Sequence, residues 1–173
     1  DYDFVQTQDI TLRDTLGEPW SPGTEPYKGS YNGNGKTITV EDIAGFDGVF
    51  PQTYYAEISN SIIVAVDGPD GDSDESTLSD DGGWLVKLAE HSTFTNIAST
   101  GDIGGDFAGG IVGKDALAVT ITYSYTTGEI NGDKAGGIIG KDASDVTVAF
   151  SYTSGDINGD KAGGIIGSNS ILS

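Results

Sequence analysis

Along much of the chain, apolar and small polar residues alternate one for one. Val119, Ile121 and Tyr123 are interleaved with Thr120, Thr122 and Ser124, a period of two that sends alternate side chains to opposite faces of a β-strand. Asp9-Ile10-Thr11-Leu12 and Thr37-Ile38-Thr39-Val40 carry the same short, β-branched signature. No segment places apolar residues on a helical i, i+3, i+4 stripe, and the paired glycines would penalise a helix. The pattern predicts an all-β chain of short strands.

The strands recur at a fixed interval. Ile130 to Gly140 reads INGDKAGGIIG, and Ile157 to Gly167 repeats it unchanged, 27 residues on. Gly101, Gly128 and Gly155 keep the same offset, as do Ala108, Ala135 and Ala162. Windows open at Gly82, Gly109, Gly136 and Gly163, the first degenerate and the fourth stopping at Ser173. A unit this small cannot bury its apolar side alone, whereas coils stacked in parallel, about 4.8 Å apart, bury a continuous column. The expected fold is therefore a right-handed parallel β-helix, a β-solenoid with 27-residue coils. Six or so coils would make a rod about 30 Å long.

Within that frame, the glycines are expected at corners, where positive φ or close backbone approach suits them. Asn131-Gly132-Asp133 and Asn158-Gly159-Asp160 read as turns. Lys87, Lys114 and Lys141 should form an outward row, with Asp115 and Asp142 offsetting their repulsion. Gly48-Val49-Phe50 and Ile58 to Ile62 read as an earlier coil. The chain divides as one domain: strands and a cap over 1–45, built around Trp20, Tyr27 and Tyr31; an early coil over 46–66; a protruding acidic insertion over 67–81; and the repeats over 82–173.

Composition narrows the partners more than the chemistry. The net charge of −19 repels phosphate backbones and anionic lipid surfaces, which argues against nucleic acid. It suits a salty or calcium-bearing medium, where repulsion is screened. There is no Cys, so neither a disulfide frame nor a thiolate metal site can form. No apolar run approaches the roughly 20 residues needed to span a bilayer. A chain starting at Asp1 reads as a processed or excised fragment.

The repeat resembles the GLUG repeat family of secreted and surface proteins. The likeness rests on Gly136-Gly137-Ile138-Ile139-Gly140 and on Ser124-Tyr125-Thr126-Thr127-Gly128 with Ser151-Tyr152-Thr153-Ser154-Gly155. The opening, Trp20-Ser21-Pro22-Gly23 followed by Tyr27-Lys28-Gly29-Ser30-Tyr31-Asn32-Gly33-Asn34-Gly35-Lys36, resembles the start of such β-helices. Pro51 and the acidic insertion depart from the pattern. The resemblance implies a β-helix carried by adhesins, large surface proteins, virion or phage fibres, or spacers beside peptidase domains. That places the chain outside the cell or on a cell or virion surface.

Candidate chemistry is sparse. His91 and Arg13 are the single histidine and arginine, and the motifs of zinc peptidases and serine hydrolases do not occur. A polysaccharide-cleaving β-helix would need a carboxylate pair, for which Asp80-Asp81 is the nearest candidate, plus basic residues that are missing. Asp70, Asp72 and Asp74, with Asp81 at the twelfth position, follow the spacing of a calcium loop. Glu75 replaces the turn glycine, and Asp stands where the loop has Glu. Thr93-x-Thr95 over Thr120-x-Thr122 resembles an ice-binding array, which Ala149 interrupts in the next coil. Tyr54, Tyr55 and Trp84 are candidates for glycan contact. The expectation is a non-catalytic structural or adhesive module that associates with itself or with neighbouring domains through its open ends, with carbohydrate binding or cleavage as the alternative.

Overall fold

The computed structural model describes residues 3–13, 24–66 and 76–172. All regular structure among them is β, in thirteen strands: β1 (Phe4–Val5), β2 (Ile10–Arg13), β3 (Ser30–Asn32), β4 (Thr37–Glu41), β5 (Phe50–Tyr54), β6 (Glu57–Val66), β7 (Val86–Glu90), β8 (Thr93–Ser99), β9 (Thr120–Thr122), β10 (Tyr125–Thr126), β11 (Ser144–Ala149), β12 (Tyr152–Thr153) and β13 (Ile171–Leu172). Every pairing between them is parallel. The chain is a β-solenoid of about five turns.

Three ladders run along its length. In the first, Phe4, Tyr31, Ile58, Phe94, Ile121 and Val148 stack one above another, through β1, β3, β6, β8, β9 and β11. The second joins β2, β4, the far half of β6, β8, β10 and β12. The third joins β5, β7, the start of β11 and β13, with Leu117 bridging between Glu90 and Ser144. Ile58, Phe94, Ile121, Val86, Val112 and Ile139 are inaccessible to solvent or nearly so, because alternation turns one face of each strand inward.

The N-terminal strands expected over 1–45 are members of these ladders; Trp20 lies outside the described residues. Part of the stretch expected as an acidic insertion belongs to a coil. Ile58 pairs with Phe94 across 36 positions where other coils use 27. Residues 67–75 lie outside the described set, but 76–81 belong to the coil. Leu78 is buried and bridges Phe46. The buried Ser76 hydroxyl donates to the carbonyl of Val40 and accepts the N–H of Ile43. Acidic neighbours masked a short inward-facing sequence in the pattern.

The corners depart from expectation as well. In the repeated coils they are made by L-residues in the left-handed region, at Asp81, Phe107, Lys134 and Lys161; at Asp115, Asp142 and Asn169; at Tyr55, His91, Ala118 and Asp145; and at Asn60, Asn96, Tyr123 and Phe150. The recurring glycines serve the other expected purpose, close approach. At Gly110 and Gly137 the backbone φ is ordinary, but a Cβ would run into the carbonyl oxygen of Gly137 or Gly164 in the next coil. Glycine is required there by the closeness of the coils.

Candidate functional site

Side chains on the outside of the coils are organised by the same stacking. The N–H of Asp106 donates to the Asp80 carboxylate at 3.0 Å, that of Asp133 to Asp106 at 2.9 Å, and that of Asp160 to Asp133 at 2.8 Å. The Asn158 side-chain amide donates to that of Asn131 at 2.8 Å. A second amide ladder runs from Asn96 to Asn60 and from Asn60 to Asn32. The Asn131-Gly132-Asp133 sequence is thus more than a turn: Asp133, like Asp80 and Asp106 before it, satisfies a backbone donor of the following coil.

These ladders stop at the C-terminal end face, and the consequences are visible in burial. Ile103 and Ile130 are fully buried, whereas Ile157 at the equivalent position is 52% exposed. Ile138 and Ile139 are fully buried, whereas Ile165 and Ile166 are only partly so. The backbone donors change in step. Ile130 N–H reaches the carbonyl of Asp156, Lys134 that of Asp160, Gly137 that of Gly163, and Ile138 and Ile139 that of Ile165. Their equivalents at Ile157, Lys161, Gly164, Ile165 and Ile166 reach no carbonyl among the described residues. The Thr153 hydroxyl is buried without a partner, where Ser99 and Thr126 donate to Gly110 and Gly137. Parallel strand edges, partly exposed isoleucines and unmatched backbone donors therefore coincide on one face. This surface was legible in the repeat, but its chemistry was not.

A second surface lies on the outer side of the first ladder. Ser30, Asn32, Glu57, Ser59, Thr93 and Thr95 line a shallow depression of about 270 Å³. Thr93 and Thr95 stack in register on Thr120 and Thr122, and the two hydroxyls of Thr95 and Thr122 lie 3.2 Å apart. Ala149 follows Thr122 and ends that row. Corners flank the sheet. On one side Tyr55, 62% exposed, stacks on the exposed His91 at 4.8 Å between ring centres. On the other, Tyr123 stacks on Phe150 at 5.0 Å, with the Tyr125–Tyr152 stack beside it. These four rings were missed in the sequence; spacing at 27 residues within Tyr-Ser-Tyr and Phe-Ser-Tyr was the available signal.

The remaining candidate residues are dispersed. Trp84 is fully buried, stacked on Phe46, its indole N–H donating to the Gly101 carbonyl at 2.9 Å. It is a core residue and cannot touch a glycan. Val86 pairs with Val112 and Gly83 with Gly109, so Trp84 stands opposite Gly110 rather than Ile111; both of those positions are buried, so either register turns it inward. Tyr54 is half-buried, with the Lys28 ammonium 5.4 Å from its ring centre. Asp70, Asp72 and Asp74 lie outside the described residues. Asp81 forms a corner and an ion pair with Lys114 at 2.8 Å, which holds the Lys114 ammonium above its ordinary range. A cation at Asp81 would have to compete with that lysine. Lys114 thus pairs with Asp81 of the preceding coil, not with the expected Asp115, while Lys87 pairs with Asp47 and Lys141 with Asp142. Among the described residues no three metal-ligating side chains converge, and no helix is long and apolar enough to cross a membrane.

The fold and these surfaces define a β-solenoid. The chain matches no family model, and comparison with curated proteins and with solved structures returned no match.

Proposed function

We propose that the protein is a non-catalytic structural or adhesive module of an extracellular or cell-surface assembly, joined to its neighbours through the ends of the solenoid. The observation that carries this reading is the stack of near-identical parallel coils, each joined to the next through ladders such as Ile130–Ile157 and Gly136–Gly163. An uncovered parallel edge is a template for strand addition. The GLUG-like repeat and the acidic surface support the same setting, since screening by salt or divalent ions relieves a charge of −19. Sedimentation velocity and negative-stain imaging across a hundredfold range of protein concentration test the reading. Rods that lengthen with concentration are expected; monomers throughout would remove self-assembly from it.

The depression beside Glu57 favours a second reading, carbohydrate binding. Hydroxyl and amide groups spaced by one strand separation, with exposed rings at the flanks, suit a chain of sugar rings lying along the solenoid axis. Titration with a panel of acidic and neutral polysaccharides checks it. Binding that survives Trp84→Phe but is lost in Tyr55→Ala with Glu57→Gln is the expected result.

A further inference from the structure

The outer side of the first ladder carries a charge pattern as well as hydroxyl groups. One column of outward side chains runs through Asp3, Ser30, Glu57, Thr93 and Thr120. Asn32, Ser59 and Thr95 stand beside it. These side chains are hydroxyls, an amide and carboxylates, with no Lys or Arg among them. The corners that bound the face add rings and a further acid. Tyr55 and His91 lie on one edge, in the same column of corners as Asp145. Tyr123 and Phe150 stack on the other.

The two carboxylates of the column are not equivalent. The Ser30 hydroxyl donates to Asp3 at 2.7 Å. The exposed Glu57 carboxylate has no hydrogen-bond or ion-pair partner among the described residues. A neutral sugar laid over Glu57 would strip water from a charge without replacing it. A sulfate or uronate would add repulsion between like charges. An ammonium group on the sugar pairs with the carboxylate instead, and is attracted to the faces of Tyr55 and Tyr123 as well.

We propose that this face binds an extended β-1,4-linked glycan bearing amino groups, laid parallel to the solenoid axis. The proposal rests on the carbohydrate reading above and names the class of sugar. Such a chain advances by close to one coil spacing per sugar, and its rings face alternate ways. An amino group therefore returns to the same side at every second coil, about 10 Å on. That is the separation of Asp3 from Glu57, which share a column with Ser30 between them. The intervening sugar meets Ser30, and the hydroxyls of later sugars meet Thr93, Thr95 and Thr120.

The test is isothermal titration calorimetry of the full chain with glucosamine hexamer, against cellohexaose and hexalysine. Saturable binding of the glucosamine hexamer is expected, at least about tenfold tighter than either competitor. Glu57→Gln should weaken it at least about tenfold. Glu129→Gln removes the same charge from an exposed position beyond β10 and should leave the affinity unchanged. Circular dichroism of both variants shows that each is folded. Equal affinity for Glu57→Gln overturns the proposal by placing the contact elsewhere. Hexalysine bound as tightly as the glucosamine hexamer overturns it too, since the net charge of −19 alone would then account for the attraction. Cellohexaose bound as tightly removes the amino group and leaves the carbohydrate reading standing. No saturable binding of either glycan removes both.

Discussion

At the scale of single residues, backbone geometry and residue type are distributed in an unexpected way. Glycine was expected at the corners for positive φ or for close approach; Asn, Asp, Lys, His, Tyr, Phe and Ala also take positive φ, beside Gly29, Gly35, Gly45 and Gly48, and the recurring glycines serve close approach. An L-residue in the left-handed region costs roughly 1–2 kcal/mol, which Asn and Asp partly recover through local hydrogen bonds. Ala118 has no such means at φ 52°. Ala118→Gly should therefore raise stability by about 0.5–1 kcal/mol in urea denaturation, after allowing for the greater entropy of the unfolded chain. Gly137→Ala should do the opposite. Forcing a methyl against the Gly164 carbonyl should cost about 1–3 kcal/mol, while Gly164→Ala, with an ordinary contact in its place, should lie within about 0.5 kcal/mol of the wild type. A pair of identical substitutions in identical sequence, differing only in what lies beneath, separates coil contact from intrinsic propensity.

At the scale of elements, what the sequence disclosed depended on whether the repeat was undisturbed. Where the offset is kept, at Thr120 to Thr122 and Thr147 to Ala149, the strands and their register follow directly from alternation. Where it slips, the pattern misled. Trp84 lies just before β7, where the offset to the next coil is 26, and it stands over the buried Gly110; aromatic character alone did not tell an inward ring from an outward one. Ser76 and Leu78 were hidden because two inward residues beside a run of acids carry too little periodicity to detect. The outer ladders were invisible for another reason: stacked hydrogen bonds relate residues 27 apart, beyond any local window. They have a measurable consequence. Asp133 accepts the Asp160 N–H while adding charge to a column already holding Asp80, Asp106 and Asp160. Asp133→Ala should lose about 1 kcal/mol through the unmet donor. Asp133→Asn keeps an acceptor and removes repulsion, so it should match or exceed the wild type at low salt. Added salt should close the gap between the two acceptor-bearing proteins.

At the scale of the whole molecule, a solenoid is a one-dimensional stack in which each coil is stabilised by its own residues and by its immediate neighbours. The two copies of INGDKAGGIIG isolate the neighbour contribution, because their intrinsic preferences are identical. Residues 130–140 are covered on both sides, by 103–113 and by 157–167, whereas 157–167 are covered on one. The buried Ile138 and the partly exposed Ile165 report that difference statically. Local opening should report it energetically: the last coil can detach by breaking one interface, while the coil before it opens only together with the last. Native-state hydrogen exchange should then show Gly163 protected less than Gly136, even though each N–H donates to the coil above at 2.9 Å. A difference of about 1.4 kcal/mol in opening free energy is a tenfold difference in exchange rate, within easy reach of the measurement. Equal protection of the two glycines in the free protein would mean that the end face is already covered in solution, and the sedimentation experiment would then show by what.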